Sequence, residues 1–158
     1  MSFTISILVD YAHEPEGITQ LLDTFVSWRD NGYYQYVIHV ISCDGAGRDD
    51  WKKPIMGKLS YDKADFTFIT TDNYNSKDNP EDILSLLRQN LPYEELDIKY
   101  FCDIDRLSTM KAALKKAQEL NSKVLICSTG VGSEQGLTQP DGIMEWDERK
   151  VWAGIWPS

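Results

Sequence analysis

The chain has 158 residues, which suits one domain over 1–158 large enough to bury a substantial core. Its 42% hydrophobic and 26% charged residues, with 5 Trp, 8 Tyr and 5 Phe, exclude a disordered chain. The formal net charge of -9 argues against nonspecific binding to nucleic acid or an anionic membrane, because no excess of Lys and Arg exists to neutralise phosphate.

The first apolar, β-branched run, Ile5 to Asp10 (ISILVD), predicts a strand, and Pro15 to Arg29 predicts a helix. Within that helix Ile18, Leu21, Leu22, Phe25 and Trp28 recur at spacings of three and four, so they form one apolar stripe that reads as core. A second strand runs from Tyr34 or Gln35 to Ser42, with His39 inside it in an expected structural role, and a helix is predicted from Asp50 to Lys63. Phe66 to Thr70 predicts a third strand and Pro80 to Gln89 a helix with Asn79 as its cap. A fourth strand at Ile98 to Cys102 precedes a helix from Ile104 to Leu120, for which Asp103 is the expected cap. Lys123 to Cys127 is a fifth strand, and the tail from Gly142 predicts a short strand or extended piece and a last helix from about Asp147. This βαβα alternation predicts an α/β fold: a three-layer, Rossmann-like domain with a mostly parallel sheet of about six strands and helices on both faces.

Cys43, Cys102 and Cys127 are odd in number and well separated, so they read as buried free thiols in a reducing compartment. The N-terminus lacks a basic region followed by a sustained apolar core, and no apolar run is long enough to span a bilayer; a cytoplasmic chain without membrane contact is the expectation. Nothing specifies an oligomer, and a monomer is expected. The sequence contains no G-x-x-x-x-G-K-[ST] loop, no G-x-S-x-G elbow, no C-x-x-C pair and no H-E-x-x-H, and two histidines are too few for a His-rich metal site.

In a parallel α/β sheet, ligands gather outside the carboxyl ends of the strands. Five loops occupy such positions: Asp10-Tyr11-Ala12-His13; the glycine-bearing segment DGAGRDDWKKPIMG from Asp44; Thr71 to Asn75; Asp103 to Arg106; and Ser128 to Gln135. His13 stands where an imidazole can hydrogen-bond a ligand, and equally where it can serve structure. Arg48, Lys52 and Lys53 suit a phosphate or a carboxylate, Arg48 with a bidentate fork, and equally a solvated helix start with local ion pairs. Gly130 and Gly132 free backbone N–H groups, as they would in a simple turn.

Taken in order, these segments resemble the C-terminal domain of the Mur ligase family, in the branch that adds a third amino acid to UDP-N-acetylmuramoyl-dipeptide. VDYAHEP resembles V-D-Y-A-H-x-P; GRDDWKKPIMG resembles R-D-x-x-K-R-P-x-M, with Lys53 at the usual Arg; ADFTFITTDN resembles A-D-x-x-I-x-T-x-D-N; DRLSTMKAALKKA resembles D-R-x-x-A-I; and TGVGSEQ resembles G-K-G-H-E-x-Q. The resemblance spans nearly the whole chain. It implies a closing domain that brings the incoming amino acid, with the UDP-sugar domain and the central ATPase absent from this sequence. In the full enzyme, ATP and Mg2+, bound mainly by the central domain, would convert the peptide carboxylate to an acyl phosphate that the amino acid attacks.

The resemblance also implies site roles. Asp10, Tyr11 and His13 would face the nucleotide side of the cleft; Arg48 would bind the amino acid's carboxylate; Asp72, Asn73 and Asn75 would form the amino-acid motif; and Gly130 and Glu134 would contact its far end. Asp49, Lys52, Lys53, Asp105 and Arg106 would support them, with no catalytic residue or metal ligand in this domain. Four further residues depart from the family pattern. Tyr74 and Asn75 replace the Pro and Arg of D-N-P-R, which removes a bidentate partner for a second carboxylate and favours lysine or another amino acid over meso-diaminopimelate. Val131 and Ser133 replace Lys and His in the glycine loop. Two alternatives remain open at this point: a non-catalytic binding module with the same fold, and a domain of a cyanophycin- or folylpolyglutamate-type ligase.

Overall fold

The computed structural model describes residues 3–45, 47 and 49–156. Strand β1 (Thr4–Val9) leads into helix α1 (Pro15–Asp30). That helix starts on a proline, whose missing N–H has no helical partner to lose, and carries Glu16 in its first turn, where an acid suits the helix dipole. Strand β2 (Tyr36–Cys43) is buried at every position but the first, as a strand covered on both faces must be. The helix predicted from Asp50 begins as a 3-10 turn, Asp50–Lys52, and becomes α2 at Lys53–Lys63. Strand β3 (Phe66–Thr71) and helix α3 (Pro80–Leu87) follow, and the Asn79 side chain caps α3 by accepting from the Glu81 amide at 3.2 Å.

The next two elements start later than predicted. Strand β4 covers only Tyr100–Cys102, because a 3-10 turn at Tyr93–Glu95 and a left-handed Asp97 (φ 62°) keep Ile98 out of the sheet. Helix α4 (Arg106–Leu120) is capped by Asp105, not Asp103: Asp105 Oδ1 accepts from the Ser108 amide at 2.6 Å, while Asp103 Oδ1 accepts from the Asp105 amide and shapes the approach. Strand β5 (Lys123–Ser128), strands β6 (Gly136–Gln139) and β7 (Gly142–Glu145), and helix α5 (Glu148–Ile155), capped by Asp147, complete the chain.

Five strands form one parallel sheet in the order β1-β5-β2-β3-β4. About six were expected. The tail instead folds β6 and β7 into a separate antiparallel pair, because β7 is exposed at all its positions and lacks the two-sided apolar surface that a parallel strand needs. Side chains alternate across the sheet. Val37, Ile41, Leu125 and Cys127 pack with Ile18, Leu22 and Phe25 of α1, Met56 of α2 and Leu87 of α3. Ile38, Val40, Val124 and Ile126 pack on the opposite face with Met110, Ala113 and Leu114 of α4 and Trp152 of α5. Helices therefore cover both faces, as the apolar runs predict, although Trp28, at the end of the α1 stripe, stays partly exposed.

His39 is fully buried between Ser60 Oγ (2.7 Å from Nδ1) and Thr129 Oγ1 (2.9 Å from Nε2), and burial pushes its pKa down to about 3. Its role is the structural one expected. All three cysteines are free; Cys43 and Cys127 are buried and Cys102 is half-buried. No helix among the described residues is long and apolar enough to cross a membrane.

Helices α2 and α3 approach so closely at Gly57 that an added Cβ would lie 1.7 Å from the Leu87 carbonyl oxygen. Backbone cannot give way as a flexible side chain does, so Gly57→Ala is expected to cost about 1–3 kcal/mol. A drop in the urea midpoint with an unchanged m value would show it; an unchanged midpoint would refute the contact.

Candidate functional site

Because α1, α2 and α3 lie on one face and α4 and α5 on the other, the connections that leave β5 and its neighbours diverge at their carboxyl ends. Such a divergence opens a crevice at the end of the sheet. A cleft of about 350 Å³ lies there, walled by Tyr11, His13 and Glu14 after β1, Cys43 and Asp44 at the end of β2, Asp49 and Lys52 before α2, Asp72 and Asn73 after β3, and Gly130 and Glu134 after β5.

The cleft floor is fixed by a buried polar network. Ser42 Oγ donates to Asp72 Oδ2 at 2.8 Å and accepts from Arg106 Nη1 at 2.8 Å. Arg106 forms a two-point pair with Glu148, Nε to Oε2 at 3.0 Å and Nη2 to Oε1 at 2.8 Å, and also donates to the carbonyls of Thr71 and Thr129. Glu148 accepts in addition from Ser128 Oγ and from Trp146 Nε1 at 2.7 Å. Every donor of the guanidinium and both oxygens of the carboxylate are thereby used, which burial of an ion pair requires. Burial pushes the Glu148 pKa upward, but the Arg106 charge and the hydrogen bonds of Arg106, Ser128 and Trp146 outweigh it and hold the carboxyl below its ordinary range. For Asp72 the balance is reversed: burial pushes its pKa up despite Arg106, the Asn73 amide and Ser42.

Two glycines admit this arrangement. A Cβ on Gly130 (φ +101°) would lie 2.4 Å from Ser42 Oγ and 3.0 Å from Asp72 Oδ2. A Cβ on Gly132 (φ +56°) would lie 2.6 Å from the Tyr11 Cβ. Both residues occupy backbone space and conformations that side chains would disturb.

At the mouth, Glu134 bridges two walls. Its carboxylate accepts from Tyr11 Oη at 3.0 Å and from Asn73 Nδ2 at 3.2 Å, and the hydrogen bond and negative charge of Glu134 raise the Tyr11 pKa. His13 stacks edge-on to Tyr11 at 4.9 Å and lies 2.9 Å, through Nδ1, from the Tyr11 carbonyl. Asn73 Oδ1 accepts from the Thr138 amide at 2.8 Å and so ties β6 to the site. Lys52 is buried against Glu14 (2.6 Å) and Asp49 (3.7 Å); burial works against its ammonium, but these carboxylates raise its pKa overall.

Of the residues expected at the site, Tyr11, His13, Asp49, Lys52, Asp72, Asn73, Gly130 and Glu134 meet in the cleft. Asp10 instead accepts from the Ala12 amide at 2.8 Å and braces the turn after β1. Asn75 Oδ1 accepts from the Lys77 amide at 2.8 Å, a local turn outside the cleft lining. Lys53, buried, turns to Asp50 at 2.5 Å and to a different pocket that includes Gly45 and Asn79. Asp105 caps α4, and Arg106 lies beneath the cleft. Arg48 lies outside the described residues. Sequence reasoning placed Asp44 and Ser128 in rim loops without singling them out, and missed Glu14 and Cys43 in the walls and Ser42 and Glu148 below them. An acid in the first turn of α5 looks like an ordinary dipole partner, so Glu148 gave no signal of its own.

The family model described as Mur ligase, glutamate ligase domain, matches residues 3–132. A UDP-N-acetylmuramoyl-L-alanyl-D-glutamate–2,6-diaminopimelate ligase of Clostridium perfringens is 32% identical over 146 residues, covering 92% of this chain and 28% of that protein. One of the same description from Syntrophomonas wolfei is 32% identical over 150 residues, covering 95% of this chain and 29% of that protein. A solved structure of a UDP-N-acetylmuramoyl-L-alanyl-D-glutamate–2,6-diaminopimelate ligase shares the fold, with a TM-score of 0.80 at 23% identity, covering 96% of this chain and 29% of that one. The chain thus spans less than a third of the length of these relatives.

Proposed function

Since this chain belongs to the Mur ligase glutamate ligase domain family, we propose that it is the amino-acid-binding, closing domain of an ATP-dependent, cytoplasmic ligase that extends UDP-N-acetylmuramoyl-dipeptide in peptidoglycan precursor synthesis. The observation that carries this reading is the convergence of Asp72, Asn73, Gly130 and Glu134, from two separate loops, on one polar cleft at the carboxyl ends of the strands. The domain would hold the incoming amino acid so that its amine meets an acyl phosphate formed elsewhere; the C–N bond forms as phosphate leaves. Fixing two reactants in this way removes orientational freedom from the bimolecular step. No three His, Cys, Asp or Glu side chains among the described residues are arranged to hold a metal. In this reading Mg2+ and most of the ATP contacts belong to the central domain of the full enzyme, with Tyr11 and His13 facing it.

Charge supports a narrower substrate class. Glu14, Asp44, Asp49, Asp72 and Glu134 line the cleft, and the ammonium of Lys52 is already paired. Asn75, which stands where the family motif has arginine, spends its side chain on its own turn. The domain therefore favours an amino acid with a cationic distal end, such as lysine, over one with a second carboxylate. Val131 is fully buried in the core, so its departure from the family motif serves packing and gives no support to a non-catalytic module.

The test is a chimera in which this chain replaces the corresponding domain of the C. perfringens relative. We expect ligation with kcat/KM for lysine at least about tenfold above that for meso-diaminopimelate, the difference one unpaired buried polar contact produces, and no ligation by the isolated chain. Ligation by the isolated chain, or a folded chimera that adds no amino acid, would sink the reading; preference for meso-diaminopimelate would sink the narrower class.

A further inference from the structure

Glu148 does not line the cleft, yet it is joined to the cleft in three hydrogen-bonded steps. It grips Arg106 with both oxygens, Arg106 donates to Ser42 Oγ, and Ser42 donates to Asp72 Oδ2. Both ends of the chain of contacts are buried, Glu148 at 0% and Asp72 at 5% exposure. Only Asp72 also borders the cleft. The Ser42 contact both satisfies a buried Arg106 donor and carries the network on to a residue of the cleft.

Resting on the reading of Asp72 as an amino-acid ligand, we propose that Glu148, Arg106 and Ser42 are positioning residues that hold the Asp72 carboxylate in place at the cleft floor. Glu148 fixes the plane of the guanidinium by its two-point pair. The guanidinium then leaves Nη1 aimed at the lone pairs of Ser42 Oγ, so the Ser42 hydrogen turns towards Asp72. The opposite oxygen of Asp72 accepts from the Asn73 amide, which completes the grip on the carboxylate. Gly130 leaves the volume in which the Ser42–Asp72 contact is made. The substrate end of the domain is in this way set by the first turn of its last helix.

Ser42→Ala isolates the function, because it removes the linking atom and leaves the Arg106–Glu148 pair intact. Ser128→Ala is the comparison, since its hydroxyl touches Glu148 and Arg106 but not Asp72, and its loss leaves the Ser42 link in place. The readout is the carboxyl 13C titration of Asp72 in the 158-residue chain. The groups that face Asp72 and must be followed with it are Arg106 from α4, Asp44 and Cys43 from the end of β2, Tyr11 from the loop after β1, and Lys52 and Glu134 across the cleft.

A lost donor to the charged form raises a carboxyl's midpoint. We therefore expect Asp72 to titrate at higher pH in Ser42→Ala than in the parent, with a smaller shift in Ser128→Ala. Equal Asp72 midpoints in Ser42→Ala and the parent, or equal shifts in both variants, would overturn the relay. In the chimera, Ser42→Ala should raise KM for the amino acid more than it lowers kcat. If Asp72 shifts and KM stays unchanged, the relay stands and the reading of Asp72 as a substrate ligand fails.

Discussion

Arg106→Met is expected to destabilise the domain by about 3–5 kcal/mol, the usual effect of leaving a buried charge without its partner. At this chain length that corresponds to a fall of roughly 10 °C in Tm. Glu148 would keep only Ser128 and Trp146 as donors, in a setting from which water is excluded. Arg106→Met combined with Glu148→Leu should recover much of the loss, because an apolar pair of similar volume needs no compensation. The pH dependence has a definite sign. The native Glu148 pKa lies below its ordinary value of 4.5, so its contribution to stability is fully present above that pH and is lost as pH falls through the lower, native pKa. The gap between parent and variant, measured by thermal unfolding, should therefore be widest at neutral pH and narrow below about pH 4.5. A gap that is constant with pH would show that Arg106 contributes packing alone.

Asp72→Asn is expected to separate stability from activity. Asp72 has its native pKa raised above the ordinary 3.8, so ionisation of this carboxyl opposes folding, and that penalty shrinks as pH falls from the native pKa towards 3.8. The amide keeps the shape of the side chain. Ser42 can turn its hydrogen to the Thr129 carbonyl at 3.3 Å and accept from the new NH2 group. At pH 7 the variant should unfold at higher temperature than the parent, with the difference closing in acid. In the chimera the same change should lower kcat/KM for the amino acid by on the order of a hundredfold, through loss of charge and orientation at the cleft floor. A variant that is destabilised at pH 7, or one that ligates normally, would contradict the assignment.

The elements were legible because their signals are local: β-branched runs for strands, apolar residues at spacings of three and four in α1, and prolines at the starts of α1 and α3. Where a turn competes, as at Asp97 before β4, the run alone overstates the strand. Strand order was not legible, since nothing within Lys123 to Ser128 says that β5 inserts between β1 and β2. The cleft loops were found by a rule about where parallel sheets bind ligands; of the residues that the family resemblance implied, eight meet there: Tyr11, His13, Asp49, Lys52, Asp72, Asn73, Gly130 and Glu134. The rule gives the loop and not the direction of each side chain. Lys52 and Lys53 are adjacent, yet successive positions in a helical turn differ by about 100°, and only Lys52 faces the cleft. Ser42 read as the end of an apolar strand and Glu148 as a helix-start acid; their importance lies in a contact between residues 42, 72, 106 and 148, which no local pattern encodes.

The strand order also governs how this chain must assemble. β1 is first in the sequence and sits at the sheet edge, where its partner is β5, more than a hundred residues later. During synthesis β1 is made long before its partner β5, while β2, β3 and β4 can already pair with one another. The sheet closes only when β5 enters between two strands made long before. Arg106 cannot be neutralised until Glu148, still later, has emerged. Closure of so many residues into loops before any contact rewards it makes for slow folding, and the half-built sheet exposes uncharged strand edges meanwhile. Glu148 thus latches Arg106 beneath the cleft only after every strand of the parallel sheet has been made.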